Sequence, residues 1–235
     1  MALPPQNANA LPKYVQLSEL IARDIDAGRL LNGERLPPER DMAVSLGTSI
    51  GTLRKALATL ESKGLLRRVQ GSGNYIQKSA KAAGFYAMFR LELLSGGGLP
   101  SAQVLAVQVM SKPVDLPPFG TSARATRIRR KRFLNDVAIA VEEIWLDASV
   151  GELSADRLSD SLYQTYLSQL NFWITRAEDR VSIGTLPDWT PRDLGETNAP
   201  CGYVERFSWA DKPTAIEFSR TWFDTSKAVY VQRLK

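Results

Sequence analysis

One feature of the first third of this chain restricts its fold more than any other: two short helical segments meet at a tight turn and precede a glycine-tipped hairpin. Two prolines precede Glu39, and because proline suits the first turn of a helix, a short helix is predicted to begin there. A second helix begins at Thr48 or Ser49, either of which can cap it, and Gly64 ends it. Two short apolar runs around residues 71–73 then predict a β-hairpin. This order of elements is that of a winged helix-turn-helix.

A further helix is predicted upstream, over residues 14–27, where apolar side chains recur at the i, i+3, i+4 spacing and Gly28 marks the C-terminus. The helix that starts near Ser49 has its own apolar face. The side chains on that face, which we expect in the core, are Leu53, Ala56, Leu57 and Leu60.

Positive charge is concentrated in the same part of the chain. Through Lys78 there are 11 Lys and Arg against 7 Asp and Glu, a net charge of +4 out of +5 for the whole chain. Such an excess is expected of a module that meets phosphate. The second helix of the pair would fit the major groove of duplex DNA, roughly 12 Å wide, and the hairpin tip would reach the adjacent backbone or minor groove. The residues predicted to contact DNA are Arg40, Ser49, Thr52, Arg54, Arg67, Arg68 and Gly71.

Simpler interpretations of these residues stay open. Arg67 and Arg68 can be a solvated pair, and Arg40 can be a surface arginine that pairs with a neighbouring acid. The whole constellation can also be a helical module that binds no DNA.

The segment over residues 14–76 resembles the N-terminal domain of GntR-family regulators. The resemblance lies in YVQLSELIARDIDAGRLLNGERLPPER, then TLRKALATLESKGLL, then RRVQGSGNYI. It implies a homodimer, a pseudo-palindromic double-stranded DNA operator and an effector-binding domain, with DNA contacts at Arg40, Ser49, Thr52, Arg54 and Gly71. The chain departs from the family at Ile50, where an arginine that reads a base is usual, and at Gln70 in the wing. The operator sequence therefore cannot be taken over from relatives.

The rest of the chain has a different organisation. Residues 79–84 are predicted to link a winged helix-turn-helix domain (residues 1–78) to a second domain (residues 85–235). Strands are predicted over residues 104–109, 138–146, 203–209 and 228–231, with a helix over residues 161–170 and a short helical turn over residues 191–194. Since strands dominate, we predict an α+β fold with a mostly antiparallel sheet.

Residues 85–235 resemble the UTRA domain of the HutC subfamily, whose fold is similar to chorismate lyase. The resemblance lies in GLPSAQVL, RKRFLNDVAIAVEEIWL, SLYQ, ITRAEDRV and KPTAIEFSRTWF. It implies a site for a small metabolite, phosphorylated or carboxylated in several relatives. Phe223 stands where relatives often have tyrosine, so one hydroxyl is lost from that site.

The residue types in these segments suit an anionic ligand. Arg130 and Arg132 are two residues apart, so on a strand both side chains face the same side. Two guanidiniums in one cavity are costly unless an anion or a carboxylate neutralises them. Hydroxyls and free backbone amides at the start of the predicted helix also favour negative groups. The predicted effector-binding residues are Ser101, Arg130, Arg132, Glu142, Ser161, Tyr163 and Glu217.

Alternatives stay open here as well. Residues 127–132 form a basic run, and such runs are often solvated; Glu142 can be a plain salt-bridge partner. The five tryptophans are expected in the core or in an interface rather than as platforms for a ligand.

Composition restricts the chemistry. The chain has no histidine and one cysteine, Cys201, which excludes Ser-His-Asp and Cys-His catalysis, an intrachain disulfide and a multi-cysteine zinc site. We predict a cytoplasmic, effector-responsive repressor without a metal, a cofactor, a membrane partner or enzymatic activity. The two alternatives are a lyase-like enzyme with an added DNA-binding domain and a DNA-binding dimer without a ligand.

Overall fold

The computed structural model describes residues 11–26, 28–77, 88–153, 158–159 and 161–233. The chain divides into two compact units, an N-terminal unit formed mainly by Leu11–Arg90 and a C-terminal unit formed mainly by Pro100–Tyr230. The predicted linker, residues 79–84, lies outside the described residues, and so do both of its boundaries. No helix in the described ranges is long and apolar enough to cross a membrane.

The N-terminal unit has the predicted winged helix-turn-helix. Its elements are helices α1 (Lys13–Asp26), α2 (Glu39–Ser45) and α3 (Ile50–Ser62), followed by strands β1 (Leu66–Val69) and β2 (Gly73–Ile76), which pair as an antiparallel hairpin. Ser49 caps α3, since its side-chain oxygen accepts a hydrogen bond from the backbone N–H of Thr52 at 3.1 Å.

One hydrophobic core joins the three helices to the hairpin. The predicted inward positions of α3 are all buried, and they pack with side chains of α1, α2 and the hairpin. The main buried members are Ile21, Ile25, Leu36, Met42, Leu53, Leu57, Leu60, Leu65, Leu66 and Ile76. This core fixes α3 by one side and leaves its other side to solvent.

The C-terminal unit is built on a six-stranded antiparallel sheet with strand order β4-β5-β6-β9-β8-β7. Its strands are β4 (Pro100–Ser111), β5 (Arg124–Leu134), β6 (Val137–Asp147), β7 (Arg176–Thr185), β8 (Pro200–Trp209) and β9 (Glu217–Phe223). A second, two-stranded sheet pairs β3 (Leu91–Leu93) with β10 (Ala228–Tyr230). Helix α4 (Leu162–Leu170) and short 3-10 turns at Ala148–Val150 and Arg192–Leu194 complete the unit. The α+β prediction with a mostly antiparallel sheet is confirmed.

Three of the sheet strands were not predicted as strands. Charged residues occupy much of β5 and β7, and polar residues interrupt the aromatic ones in β9, so apolar periodicity is weak in all three strands. The sequence of β5 has the composition of a basic surface run. In the fold, β5 lies between β4 and β6, and ion pairs with neighbouring segments replace the apolar contacts that periodicity detects.

Side chains alternate between the two faces of the sheet. The α4 face, as we name it, carries Arg130, Arg132 and Glu142 together with Ser208 and Glu217; α4 lies on it, since Tyr163 contacts Ser208. The second face carries Arg127, Arg129, Glu143, Trp145, Arg220 and Trp222.

Candidate DNA-binding surface and effector site

The first turn of α3 is exposed and polar. Ser49 Oγ and Thr52 Oγ1 lie 2.8 Å apart, and the same Ser49 oxygen caps the helix. Both predicted hydroxyl residues therefore lie at the solvent-facing start of α3. The free backbone amides of a helix N-terminus also face this side, and they attract negative groups such as phosphate.

Arg54, one turn further along α3, is oriented by Glu39 at the start of α2. Its Nε donates to Glu39 Oε2 at 2.6 Å, and Asn74 Nδ2 from β2 donates to the other oxygen at 3.5 Å. The hydrogen bond from Arg54 is the main cause of the lowered pKa of Glu39. The Arg54 side chain is still 64% exposed. One carboxylate thus ties both helices to the hairpin and leaves most of the guanidinium accessible.

Arg40 is exposed and makes no ion pair with any residue in the described ranges. The alternative in which Arg40 pairs with a neighbouring acid is wrong for this structure, because the adjacent Glu39 pairs with Arg54. A guanidinium at the start of α2 without an internal partner is available to a phosphate.

The hairpin contributes further cations. Arg67 lies over the ring of Tyr75 at 5.9 Å, while Arg68 donates to the backbone oxygen of Arg54 at 3.2 Å and pairs with Glu61 at 3.2 Å. Arg68 is therefore tied to α3 rather than simply solvated. Gly71, at the hairpin tip, is exposed and has a φ of +72°, a conformation that glycine adopts without strain.

Sequence reasoning missed Arg35. This arginine forms an isolated β-bridge with Tyr75, and its guanidinium lies so close to Gly73 that a Cβ there would meet Nε at 3.1 Å. Arg35 lies in the GERLPPER segment, but only the bridge to the hairpin brings it to the wing. The glycine at position 73 makes this approach possible.

Ile50 begins α3 and packs, half-buried, against the hydrophobic core of the unit. Part of its apolar side chain is therefore used inside the domain, at the position where an arginine is usual in the resembling family. Bidentate base recognition is absent at this position, because isoleucine offers no hydrogen-bond donor.

The two predicted arginines of the α4 face converge on one carboxylate. Arg130 Nη2 pairs with Glu142 Oε1, and Arg132 Nη1 lies 3.5 Å from the same oxygen. Their side chains are only 5% and 3% exposed, and that of Glu142 is 12% exposed. The interpretation of this run as solvated is wrong for these two arginines. The alternative role of Glu142 as a salt-bridge partner is present in the structure.

A buried hydroxyl network lies on the same face. Tyr166 Oη donates to Glu217 Oε2, Ser208 Oγ donates to Glu217 Oε1 at 2.7 Å, and Tyr163 Oη lies 3.3 Å from Ser208 Oγ. Burial raises the pKa of Glu217 in spite of these hydrogen bonds and nearby arginines. Burial and the charge of Glu217 also raise the pKa of Tyr163 to about 12, so this phenol stays protonated.

Charged groups of both signs lie together on the α4 face. Arg130 lies close enough to Glu217 to act on its charge, so the arginine pair and the hydroxyl network form one electrostatic cluster. An oxyanion of a ligand that reached this face would be attracted by the two guanidiniums, whose geometry suits it.

Three further members of the cluster were missed. Arg206 donates to both carboxylate oxygens of Asp179, at 2.5 and 2.6 Å, and Tyr230 Oη donates to Asp179 at 2.5 Å. They come from β8, β7 and β10, and no sequence spacing connects them. ITRAEDRV, which contains Asp179, was the only available signal.

Two further residues, Ser161 and Ser101, were predicted for the effector site. Ser161 caps α4, its hydroxyl accepting from Gln164 N at 3.4 Å. Ser101 pairs in register with Phe133, whereas its neighbour Ala102 pairs with Arg132. Ser101 therefore alternates to the opposite face, and the structure does not bring its side chain to the arginine pair.

Comparison with known proteins gives consistent matches over both units. The UTRA domain model matches residues 96–228, and the model of bacterial regulatory proteins of the gntR family matches residues 13–76. The HTH-type transcriptional regulator SmoD of Agrobacterium fabrum is 49% identical over 228 residues, which cover 96% of this chain and 97% of that protein. The HTH-type transcriptional repressor NagR of Bacillus subtilis is 25% identical, with 94% of each chain covered.

A solved structure has the same fold. The crystal structure of YydK from Bacillus subtilis, described as a possible transcriptional regulator, matches with a TM-score of 0.53 and 20% identity. The match covers 96% of this chain and 100% of that one.

Proposed function

This chain belongs to the GntR family of bacterial regulatory proteins and carries a UTRA domain, and from that premise we propose that it is a repressor whose affinity for its operator is controlled by a small anionic metabolite. The family and the named relatives are transcription regulators, so the chain is a DNA-binding regulator and not an enzyme. Its operator is pseudo-palindromic duplex DNA, and its place of action is the bacterial cytoplasm.

The exposed start of α3 carries the proposed DNA contact. Arg40 and Arg54 lie before and after the capped N-terminus of this helix in the sequence. The hairpin that follows the helix contributes Arg67 and its tip residue Gly71. We assign base contacts to Arg54 and Thr52, and phosphate contacts to Arg40, Ser49, Arg67, Arg68 and Gly71. The fixed orientation of Arg54 by Glu39 supports its role, because a side chain that is already positioned loses less entropy on binding.

The α4 face carries the proposed effector site. Arg130 and Arg132 would hold an oxyanion of the metabolite, for which the guanidinium geometry is suited. Glu142, Glu217 and Tyr163 would accept or donate hydrogen bonds to hydroxyl or amine groups of the ligand. Ser161 would act through the amides of the helix that it caps. Ser101 would act only through its backbone, because its side chain lies on the opposite face.

A homodimer is part of the proposal. Strand β7 is an edge of the six-stranded sheet, and Val181 and Ile183 on it are 52% and 86% exposed. Exposed apolar residues on an open edge favour pairing with another chain. Ile183→Lys is therefore expected to weaken the dimer in sedimentation analysis, with Ser182→Lys on the same strand as the control.

The experiment that tests the regulator begins with duplexes that the full-length protein retains from a random pool at low salt. Affinity is then measured by fluorescence anisotropy between 50 mM and 200 mM salt, where phosphate contacts predict a loss of roughly 10³–10⁵-fold for 6–10 contacts. A protein that retains no duplex at low salt contradicts the function.

Effector control is tested separately. A panel of phosphorylated and carboxylated metabolites is screened by thermal shift, and each hit is added to the protein–DNA complex. A hit that changes DNA affinity, and that loses its effect in Arg130→Gln, supports the proposed site. A chain that binds DNA but responds to no metabolite is the DNA-binding dimer without a ligand.

A further inference from the structure

A second cavity lies on the other face of the same sheet. It has a volume of about 280 Å³ and lies against strands β5, β6 and β9 and the segments around residues 113–116 and 187–189. Its principal lining residues are Arg127, Arg129, Trp145, Trp189, Arg220 and Trp222. None of them belongs to the cluster on the α4 face, because side chains two positions apart on a strand share a face and adjacent ones do not.

Tryptophan rings form much of the cavity wall. Trp189 and Trp222 meet edge to face, with centroids 5.8 Å apart and planes at 85°. Trp145 is 1% exposed, and the ring centroids of Tyr203 and Trp222 lie 5.4 Å apart. A corner made of two perpendicular indoles offers broad apolar surface to a ring or short carbon skeleton.

Two of the three arginines that line the cavity form ion pairs with carboxylates. Arg129 Nε lies 2.7 Å from Glu143 Oε2, and its guanidinium lies over the Trp189 ring at 4.6 Å. Arg220 Nη1 lies 2.9 Å from Asp115 Oδ2. These pairs hold the polar part of the wall in place and leave little charge to attract a ligand.

Arg127 differs from both. Within the described ranges no carboxylate lies at ion-pair distance from it, and its side chain donates to the neutral amide of Gln108. Its guanidinium lies over the Trp145 ring at 5.7 Å, and its buried Nε, like that of Arg220, has no hydrogen-bond partner in those ranges. Burial, with the positive charge of Arg129, lowers the pKa of Arg127. A partly buried guanidinium without an ion-pair partner destabilises the fold unless an anion binds it.

We propose that this cavity is a second ligand site, which binds a small organic acid with its oxyanion on Arg127 and its six-membered ring against the Trp189–Trp222 corner. The proposal is independent of the effector site on the α4 face, since the two sites lie on opposite faces of one sheet. The volume is near the lower end of ligand pockets, roughly 300 Å³, which suits one six-membered ring with its substituents.

The test is a titration of the full-length protein with D-glucuronate, a pyranose with one carboxylate, followed by intrinsic tryptophan fluorescence. We expect a saturable change, because the cavity wall contains three of the five tryptophans. D-Glucose lacks the carboxylate and is expected to bind about ten-fold or more weakly, the effect of losing one charged hydrogen-bonded contact. Inorganic phosphate lacks the ring and its contact with the two indoles, so it is also expected to bind more weakly.

Variants assign the change to the cavity. Arg127→Gln is expected to weaken D-glucuronate binding at least about ten-fold, and Arg127→Lys to weaken it as well, since an ammonium cannot form the bidentate contact. Arg124→Gln, an exposed arginine on the same strand, is the matched control and keeps the affinity of the unsubstituted chain. Circular dichroism and the melting temperature of each variant confirm that it is folded.

Two results would overturn the proposal. One is the absence of a saturable change with D-glucuronate in the unsubstituted protein. The other is binding that survives in both Arg127 variants but disappears in Arg130→Gln, which would assign the ligand to the α4 face. Neither result bears on DNA binding, so the proposed regulator would stand or fall by its own experiment.

Discussion

Glu142 is the residue at which the account of the effector site can be tested by stability alone. Its carboxylate answers two arginines whose side chains are 5% and 3% exposed. Glu142→Gln keeps the shape of the side chain and removes one negative charge from beside both guanidiniums. Removal of one partner from a buried ion pair costs about 3–5 kcal/mol. Because Glu142 itself keeps some exposure, we expect the lower end, about 3 kcal/mol.

The assay is thermal unfolding of the full-length protein at low salt. For a chain of this size 1 kcal/mol corresponds to roughly 2–4 °C, so Glu142→Gln should lower the melting temperature by about 6–12 °C. Glu178→Gln is the matched control, since Glu178 pairs with Arg180 in an exposed ion pair, which contributes about 0–1 kcal/mol. Inorganic phosphate should raise the melting temperature of Glu142→Gln more than that of the unsubstituted protein, because an anion can replace the lost carboxylate.

Equal melting temperatures for Glu142→Gln and Glu178→Gln would refute this reasoning. The arginine pair would then be stabilised by other groups and would need no anion beside it. A large loss of stability that phosphate does not reverse would retain the ion-pair network but remove the support for an anion site.

Three further outcomes follow from other parts of the structure. Arg54→Ala should weaken operator binding by about 1–3 kcal/mol in an anisotropy titration if Arg54 reads a base, and an unchanged affinity would make it a solvated residue. The pKa of Glu217 is raised in the folded state, so folded protein holds this proton at pH values above the unfolded pKa of about 4.3. The protein should therefore gain stability as the pH falls from neutral through the raised pKa. Glu217→Gln should show a smaller gain, and the same pH profile for both proteins would be inconsistent with the raised pKa. Gly202→Ala should cost about 1–3 kcal/mol of unfolding free energy, because its Cβ would lie 2.2 Å from Phe223 Cζ. Gly51→Ala, where a Cβ meets only Ser49 Oγ at 3.9 Å, is its control and should not destabilise the protein.

The N-terminal fold could be predicted because its signals are local. Ser49 caps α3, Gly64 has a φ of +69° just past the helix end, and the apolar spacing within α3 matches its buried side. Each of these signals lies within a few residues of the element that it defines. The position of Arg35 beside the wing could not be predicted, since it depends on a bridge across 40 residues to Tyr75.

The sheet was harder to predict because its charged strands are stabilised by distant partners. In β5, Arg129 pairs with Glu143, Arg130 with Glu142 and Lys131 with Asp193. Those acids come from β6 and from a 3-10 turn. The run RIRRK itself has no apolar pattern, and its ion-pair partners come close to it only in the folded chain. Alternation along a strand did predict that Arg130 and Arg132 share a side, and the structure brings both to Glu142.

The residues of the effector site were hard to predict for the same reason, because their partners are distant in the sequence. The hydroxyl network of Tyr163, Ser208 and Glu217 draws on α4, β8 and β9, and only two of its members stood in segments that suggested a site. The face of Ser101 depends on the register of β4 against β5, which includes a bulge after Val104. Sequence spacing cannot determine such a register.

The most direct test of the central claim, that the winged helix-turn-helix binds DNA, is the salt dependence of operator affinity in Arg40→Ala. Arg40 is exposed at the start of α2, and Arg192→Ala removes another exposed arginine, from the C-terminal unit. Loss of one phosphate contact should weaken binding to all duplexes alike and lower the slope of log affinity against log salt by about 1 in Arg40→Ala, with no change in Arg192→Ala. The same affinity and slope in Arg40→Ala as in the unsubstituted protein would contradict the claim.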